Sequence, residues 1–339
     1  MLEDLMLTLG LPMRSLRQRH PRLERWLGLD LAPSELASVL QGCAADRVPL
    51  GAYYYWYFQK LVMARLLRRR NKREILAKIA SLDQSNYEQL LHAEMLAEGR
   101  GLVVAIPHHG HYILSIVALA ERLRRRRQVF IFYGAPATHS GNELFDELYR
   151  VLFESVESNV VVIHDTRQGL SSAIRSLKEG AAVIIMPDVH KRESDTYLIP
   201  FCERPLNVML GTAALARKTG AVIVPAVSVS NGNRLGFETH FASALELEDA
   251  ATHPSNHDVV DIIHRDYKLT AKLFRIYERS MSASIIHWQH VRMHYARAAP
   301  FPKLAEDEIE NVAELFFNDV RVRNLGQAAI RISDTGSNS

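Results

Sequence analysis

Cysteine is scarce in this sequence: only Cys43 and Cys202 occur in 339 residues. Two cysteines so far apart exclude a disulfide-stapled framework and point to a reducing compartment, where both read as small buried hydrophobes. No stretch reaches the roughly 20 consecutive apolar residues of a membrane-spanning helix. The best one, residues 53–67, is interrupted by Gln59, Lys60 and Arg65 and runs into Arg68-Arg69-Arg70. A signal peptide is not expected either, since Glu3 and Asp4 stand where its basic residues belong. Internal repeats and long low-complexity segments are missing. Net charge is only +3, so the chain as a whole is neither strongly basic nor strongly acidic. With 47% hydrophobic and 23% charged residues, the composition is that of an ordinary globular protein. The length suits one large domain, or one domain with a helical appendage.

What charge there is lies in clusters. Arg68, Arg69, Arg70, Lys72 and Arg73 form one basic run, and Arg122 with Arg124, Arg125, Arg126 and Arg127 forms another. Such runs are ordinarily solvated helix ends, but two of this density also suit an acidic partner: a carrier protein, a phosphate-bearing donor, anionic lipid or RNA. We take Arg68, Arg69, Arg70, Arg124, Arg125 and Arg126 as the candidate partner patch. Residues 53–58 are all aromatic. They read equally as an interfacial anchor on an anionic membrane and as a core helix whose basic end complements its own dipole.

Residues 1–98 read as helical, with apolar positions at helical spacing in Ile75, Ile79 and Leu82 and in Leu90, Leu91, Met95 and Leu96. A break is expected at residues 82–86. From Gly99 the pattern alternates. Short apolar runs at 102–106, 129–133, 160–163, 181–186 and 222–229 are separated by helical stretches at 113–123, 142–154, 169–178 and 208–219. This grammar predicts an α/β fold with a mostly parallel sheet covered by helices on both faces. Residues 235–241 read as an added antiparallel strand and 258–298 as helix. The expected organisation is a helical region 1–98 packed on a core 99–300, then a C-terminal helix and disordered tail, 301–339.

Ligands in open α/β sheets bind beyond the carboxyl ends of the strands. Two clusters lie there: Pro107-His108-His109-Gly110-His111-Tyr112 after the first strand, and Pro187-Asp188-Val189-His190 after the fourth. A histidine at such a junction can act as a base near helix N-terminal amides that stabilise an anion. A metal reading of His108, His109 and His111 is the weaker one.

The block from Gly101 through Tyr112 resembles the first motif of the lysophospholipid-acyltransferase-like superfamily, most closely the late acyltransferases of lipid A biosynthesis. Further pieces agree in order and spacing: Leu177-Lys178-Glu179-Gly180, Met186-Pro187-Asp188, Ile199-Pro200-Phe201, Gly211-Thr212-Ala213, Leu215 through Ala221, and Val224-Pro225. The resemblance covers roughly residues 85–300. It implies a glycerol-3-phosphate-acyltransferase-like fold and metal-independent acyl transfer with no bound cofactor. The acyl group would come from acyl carrier protein or coenzyme A, with aminoacyl-tRNA a further candidate co-substrate, and would pass to a hydroxyl or an amine. His108 would be the general base. His109, Gly110, His111, Tyr133, Arg150 and His164 are candidates for substrate contact, His111 as donor to the oxyanion. Location would be cytoplasmic, with peripheral contact to the inner membrane as an option.

The sequence departs from that family at Ile113, where a carboxylate five residues after the histidine should orient it. Phe153 stands where the family has an arginine, with Arg150 the nearest substitute, and the membrane helix common in the lipid A branch is not evident. Three explanations stay open. Asp188 orients His108; or the acceptor is an amine, hydroxylamine or hydrazine nucleophilic enough to need less help; or the chain is an inactive relative that binds an acyl chain or carrier. The first two together favour a specialised biosynthetic transferase, with a lipid-directed enzyme as the alternative.

Overall fold

Alternate residues of the short apolar runs face opposite sides of one sheet, and that alternation builds two cores. A computed structural model describes residues 56, 59, 60, 62, 63, 65–67, 70–133, 143–153, 159–164, 166–188, 196–230, 235–246 and 259–297. The strands are β1 (Leu102–Ala105), β2 (Val129–Tyr133), β3 (Val160–His164), β4 (Ala182–Ile185), β7 (Val222–Ser230) and β8 (Phe237–Phe241). They order as β3-β2-β4-β1-β7-β8. Every pairing is parallel except β7 with β8, which is antiparallel.

Val103 and Ala105 of β1, Val183 and Ile185 of β4 and Ile223 of β7 face one core. That core is closed by helices α5 (Arg167–Lys178), α6 (Gly211–Thr219) and α7 (Val259–Met281). Leu102, Val104, Ala182, Ile184, Val222 and Val224 face the other. There the cover is α1 (Lys72–Leu82), α2 (Glu88–Leu96), α3 (Tyr112–Leu123) and α4 (Glu143–Phe153). A sheet covered on both faces needs strands apolar at every position, which is why β1 and β4 are buried along their whole length.

The N-terminal helices follow their periodicity. Ile75, Ile79 and Leu82 are the buried face of α1, and Asn71 caps it by accepting from the Glu74 amide. In α2, Leu90 and Ala93 face inward while Met95 and Leu96 are exposed, so apolar character there did not mark the buried face. Ahead of α1, Trp56, Gln59, Met63 and Leu67 are helical and buried. Among the described residues, no helix is long and apolar enough to cross a membrane. The readings placed on residues 1–55, on the tail 301–339 and on Arg68 and Arg69 lie outside the described residues.

Two sequence readings need correction. Val208 does not open a helix: it ends a hairpin of β5 (Tyr197–Phe201) and β6 (Arg204–Val208), whose tight turn puts Cys202 and Glu203 at positive φ. Residues 258–298 are not one helix. After α7 comes a 3-10 turn, Ser282–His287, and then a break at Trp288, Gln289 and His290 before α8 (Val291–Arg297). That break forms a wall of the site.

Candidate active site

Strands β1 and β4 are neighbours in register, Ala105 opposite Ile185. Three residues beyond that pair on each strand stand His108 and Asp188. The His108 Nδ1–H donates to Asp188 Oδ1 at 2.8 Å, and the His108 amide donates to Oδ2 at 2.9 Å. A second donor, Trp288 Nε1–H, reaches Oδ2 at 2.8 Å. Asp188 is buried and His108 retains 12% side-chain exposure. Burial pushes the Asp188 carboxyl up, but the charge and hydrogen bond of His108, the nearby His290 and the Trp288 donor outweigh it. The net effect holds the group below the usual carboxylate range. An ionised carboxylate only accepts, so the proton of neutral His108 sits on Nδ1 and the Nε2 lone pair is left for a substrate.

The loop carrying His108 is fixed from three sides. Tyr277 of α7 donates its hydroxyl to Ala105 O at 2.7 Å, anchoring the end of β1. The Gln289 amide donates to His108 O and the Gly110 amide to His287 O, so the helix break runs antiparallel to the histidine loop. Gly110 has φ of +59°, and a Cβ there would lie 2.3 Å from Ser228 O, so any side chain would push the loop off β7. Tyr112 lies edge-on to His108 and donates its hydroxyl to Gln289 Oε1 at 3.1 Å.

The other two histidines of the loop point elsewhere. His109 is fully buried, its Nδ1 2.7 Å from Ser228 O and its Nε2 2.8 Å from Ser284 O. His111 donates from Nε2 to Gln59 Oε1 at 3.1 Å, and Ser230 donates its hydroxyl to the same oxygen at 2.7 Å. Burial lowers the pKa of both rings, that of His111 further. They are built into the core behind the loop, which leaves His111 poorly placed to meet an oxyanion at His108. Ile113 is buried in the apolar cluster on this face of the sheet, a setting that does not suit a carboxylate. Phe153 is itself buried there, while Arg150 is exposed.

Tyr133 ends β2, the strand beside β4. His164 ends edge strand β3, two strands from β4, and faces the Tyr133 carbonyl at 3.2 Å. At ~4.8 Å per strand that puts it roughly 10 Å from Asp188. Helix α3 starts at the site and runs back along the sheet, so its basic end reaches the opposite edge. There Arg127 donates to the carbonyls of Arg100 and Gly180, which precede β1 and β4. Arg124 is bidentate to Glu121 and Arg126 pairs with Glu94. Of the first basic run, Arg70 and Arg73 are exposed and Lys72 is half-buried.

Sequence reasoning missed the residues of the helix break: Trp288, Gln289 and His290. The string His287-Trp288-Gln289-His290 was the available signal. Among the described residues, the group able to hold a metal is His108, Asp188 and His290, not the three loop histidines.

A family model described as bacterial lipid A biosynthesis acyltransferase matches residues 54–289, well over half of the chain and inclusive of His108, Asp188 and Trp288. The chain belongs to that family. Comparison with individual curated proteins finds no match. As a lipid A biosynthesis acyltransferase family member it carries its candidate base after β1, paired to a carboxylate supplied by β4.

Proposed function

We propose that the protein transfers an acyl group from a thioester, on acyl carrier protein or coenzyme A, to a hydroxyl or amine acceptor, with His108 as general base and Asp188 as the residue that orients it. The observation that carries this reading is the His108–Asp188 pair at the mouths of two adjacent parallel strands. His108 Nε2 takes the proton from the acceptor as its oxygen or nitrogen attacks the thioester carbonyl. Collapse of the tetrahedral intermediate breaks the C–S bond, and the imidazolium returns the proton to the departing sulfur. Asp188 remains ionised and stabilises the imidazolium in between. No step is routed through a metal or a bound cofactor.

The pairing bears on the acceptor. An oriented base can serve an alcohol, so a hydroxyl acceptor stands beside the amine, hydroxylamine or hydrazine that Ile113 alone would favour. An aminoacyl ester, as on tRNA, is chemically equivalent as donor. The family membership favours a lipid acceptor as second reading, with the protein working on the cytoplasmic side in peripheral contact with the inner membrane. Trp56 and Gln59 argue for a partly internal role of the aromatic helix, since both are buried and Trp56 stacks on His287. Donor docking at His108 would take place at the opposite end of the sheet from Arg124, Arg125 and Arg126, so those arginines would serve a separate contact.

The test is turnover by mass spectrometry with acyl carrier protein, coenzyme A and aminoacyl-tRNA donors against amine, hydroxyl and lipid acceptors, comparing wild type with His108→Ala. Transfer that the variant lacks supports the reading. Transfer fully retained by the variant overturns the role of His108. Tight binding of the acyl carrier without turnover for any pair would identify a binding homologue.

A further inference from the structure

We infer that His108, Asp188 and His290 also form an inhibitory binding site for a borderline transition metal, with Zn²⁺ and Co²⁺ the ions they suit. The binding half of this inference stands on geometry alone; the inhibition half rests on the role proposed for His108.

The three groups each offer one ligand atom, and these atoms lie within 4.8 Å of one another. Of the atoms these side chains can offer, His108 Nδ1 and Asp188 Oδ1 are already 2.8 Å apart. For bonds of about 2.0–2.1 Å, tetrahedral ligand atoms stand about 3.3 Å from each other. The first pair must therefore open by about 0.5 Å, and His290 must approach by at most about 1.5 Å. His290 is half-buried in the break before α8, its ring edge-on to both His108 and Trp288 at 5.2 and 5.8 Å.

The surroundings are those of a supported ligand set. Asp188 Oδ2 is held by Trp288 Nε1–H and by the His108 amide, which fixes the carboxylate and leaves Oδ1 directed at His108. The partial exposure of His108 leaves a side open for water to complete the coordination. Two imidazoles and one carboxylate select zinc, cobalt, nickel or copper over magnesium and calcium, which favour oxygen.

Inhibition follows from proton placement. A metal on Nδ1 displaces the proton shared with Asp188, and neutral His108 then carries it on Nε2. That nitrogen has no lone pair left, and the base is lost. The acceptor and the ion cannot use His108 together.

The full-length protein should be titrated with Co²⁺, following its visible absorption, and with Zn²⁺ in competition. Wild type should show one site that Zn²⁺ displaces and millimolar Mg²⁺ does not. His290→Ala should weaken binding at least tenfold, with unchanged circular dichroism; His290→Gln serves if the first variant does not fold. Affinity equal to wild type in a folded His290 variant overturns the site and assigns the ion to other histidines. In the acyl-transfer assay, Zn²⁺ should inhibit over the range that fills the site, and the His290 variant should need at least tenfold more. Turnover that persists or rises with the site filled overturns inhibition. Binding without any turnover by the metal-free protein would sink the proposed function and leave the site standing.

Discussion

His108 and Asp188 are equivalent positions on two neighbouring parallel strands, each three residues past the matched pair Ala105 and Ile185. Ile113 stands five residues after His108, and the carboxylate that meets the imidazole comes instead from the loop after the neighbouring strand. Both residues lie in the loops that follow their strands, and the two hydrogen bonds from His108 to one carboxylate fix both its backbone and its ring.

Asp188→Asn should slow acyl transfer by about 10²–10⁴-fold in kcat. The amide would present a donor or a weaker acceptor to Nδ1, so the ring would lose the tautomer that keeps Nε2 free. Steady-state rates at saturating donor and acceptor measure this, with thermal unfolding to verify the fold. A rate within threefold of wild type would remove Asp188 from the mechanism.

Ile113→Asp restores the residue type of the family motif and should nonetheless fail as a repair. Ile113 is 9% exposed and belongs to the apolar cluster on its face of the sheet. Replacing it forfeits about 1.5–3 kcal/mol of apolar burial and puts an unpaired carboxyl in that cluster. A marked drop in thermal stability is expected, and the double variant with Asp188→Asn should be no faster than Asp188→Asn alone. Recovery of rate in the double variant would show that the helix position can still orient His108.

Legibility in the sequence followed the physics of each element. Residues 129–133 were plain because a strand buried on both faces must be apolar at every position. Hairpin β5–β6 was not, since Pro200 and Pro205 sit in its strands and its turn uses Cys202 and Glu203 at positive φ, where glycine or asparagine would have announced it. His108 and Asp188 were legible as strand-end residues because parallel strands deliver their ends to one edge. Among the three loop histidines the family resemblance singled out His108, but nothing in the sequence told where His109 and His111 would point. Backbone direction alone sends His109 to Ser228 and Ser284, His111 to Gln59, and His108 to Asp188. Trp288 escaped notice because helical periodicity runs through residues 258–298, and nothing in it marks the break after the 3-10 turn.

Trp288→Phe tests whether that indole helps hold the pair. Phenylalanine keeps ring packing against Phe201 and His294 but removes the Nε1–H donor to Asp188 Oδ2. A hydrogen bond to a buried charge is worth about 1.5–3 kcal/mol. The variant should therefore lose stability of that order and slow transfer by about tenfold, with the substrate KM little changed. An unaltered rate would mean that the His108 amide fixes the carboxylate without help.

His111 supplies a prediction about pH. Its burial, with His287, Lys60 and His109 close by, sets the imidazole well below its ordinary value of 6.5 in the folded chain. Between that lowered value and 6.5 the unfolded chain binds a proton that the folded chain refuses. Stability is therefore complete above about pH 6.5 and declines as pH falls below it, by at most about 1.4 kcal/mol per pH unit for this one group. His111→Gln retains an N–H to give Gln59 but has no proton to gain. Its melting temperature should fall less than that of wild type from about pH 7 to about pH 5, every other titrating group being common to both. Parallel profiles would show that His111 takes up its proton in the folded state as readily as in the unfolded chain, and so is not held neutral by the core around Gln59.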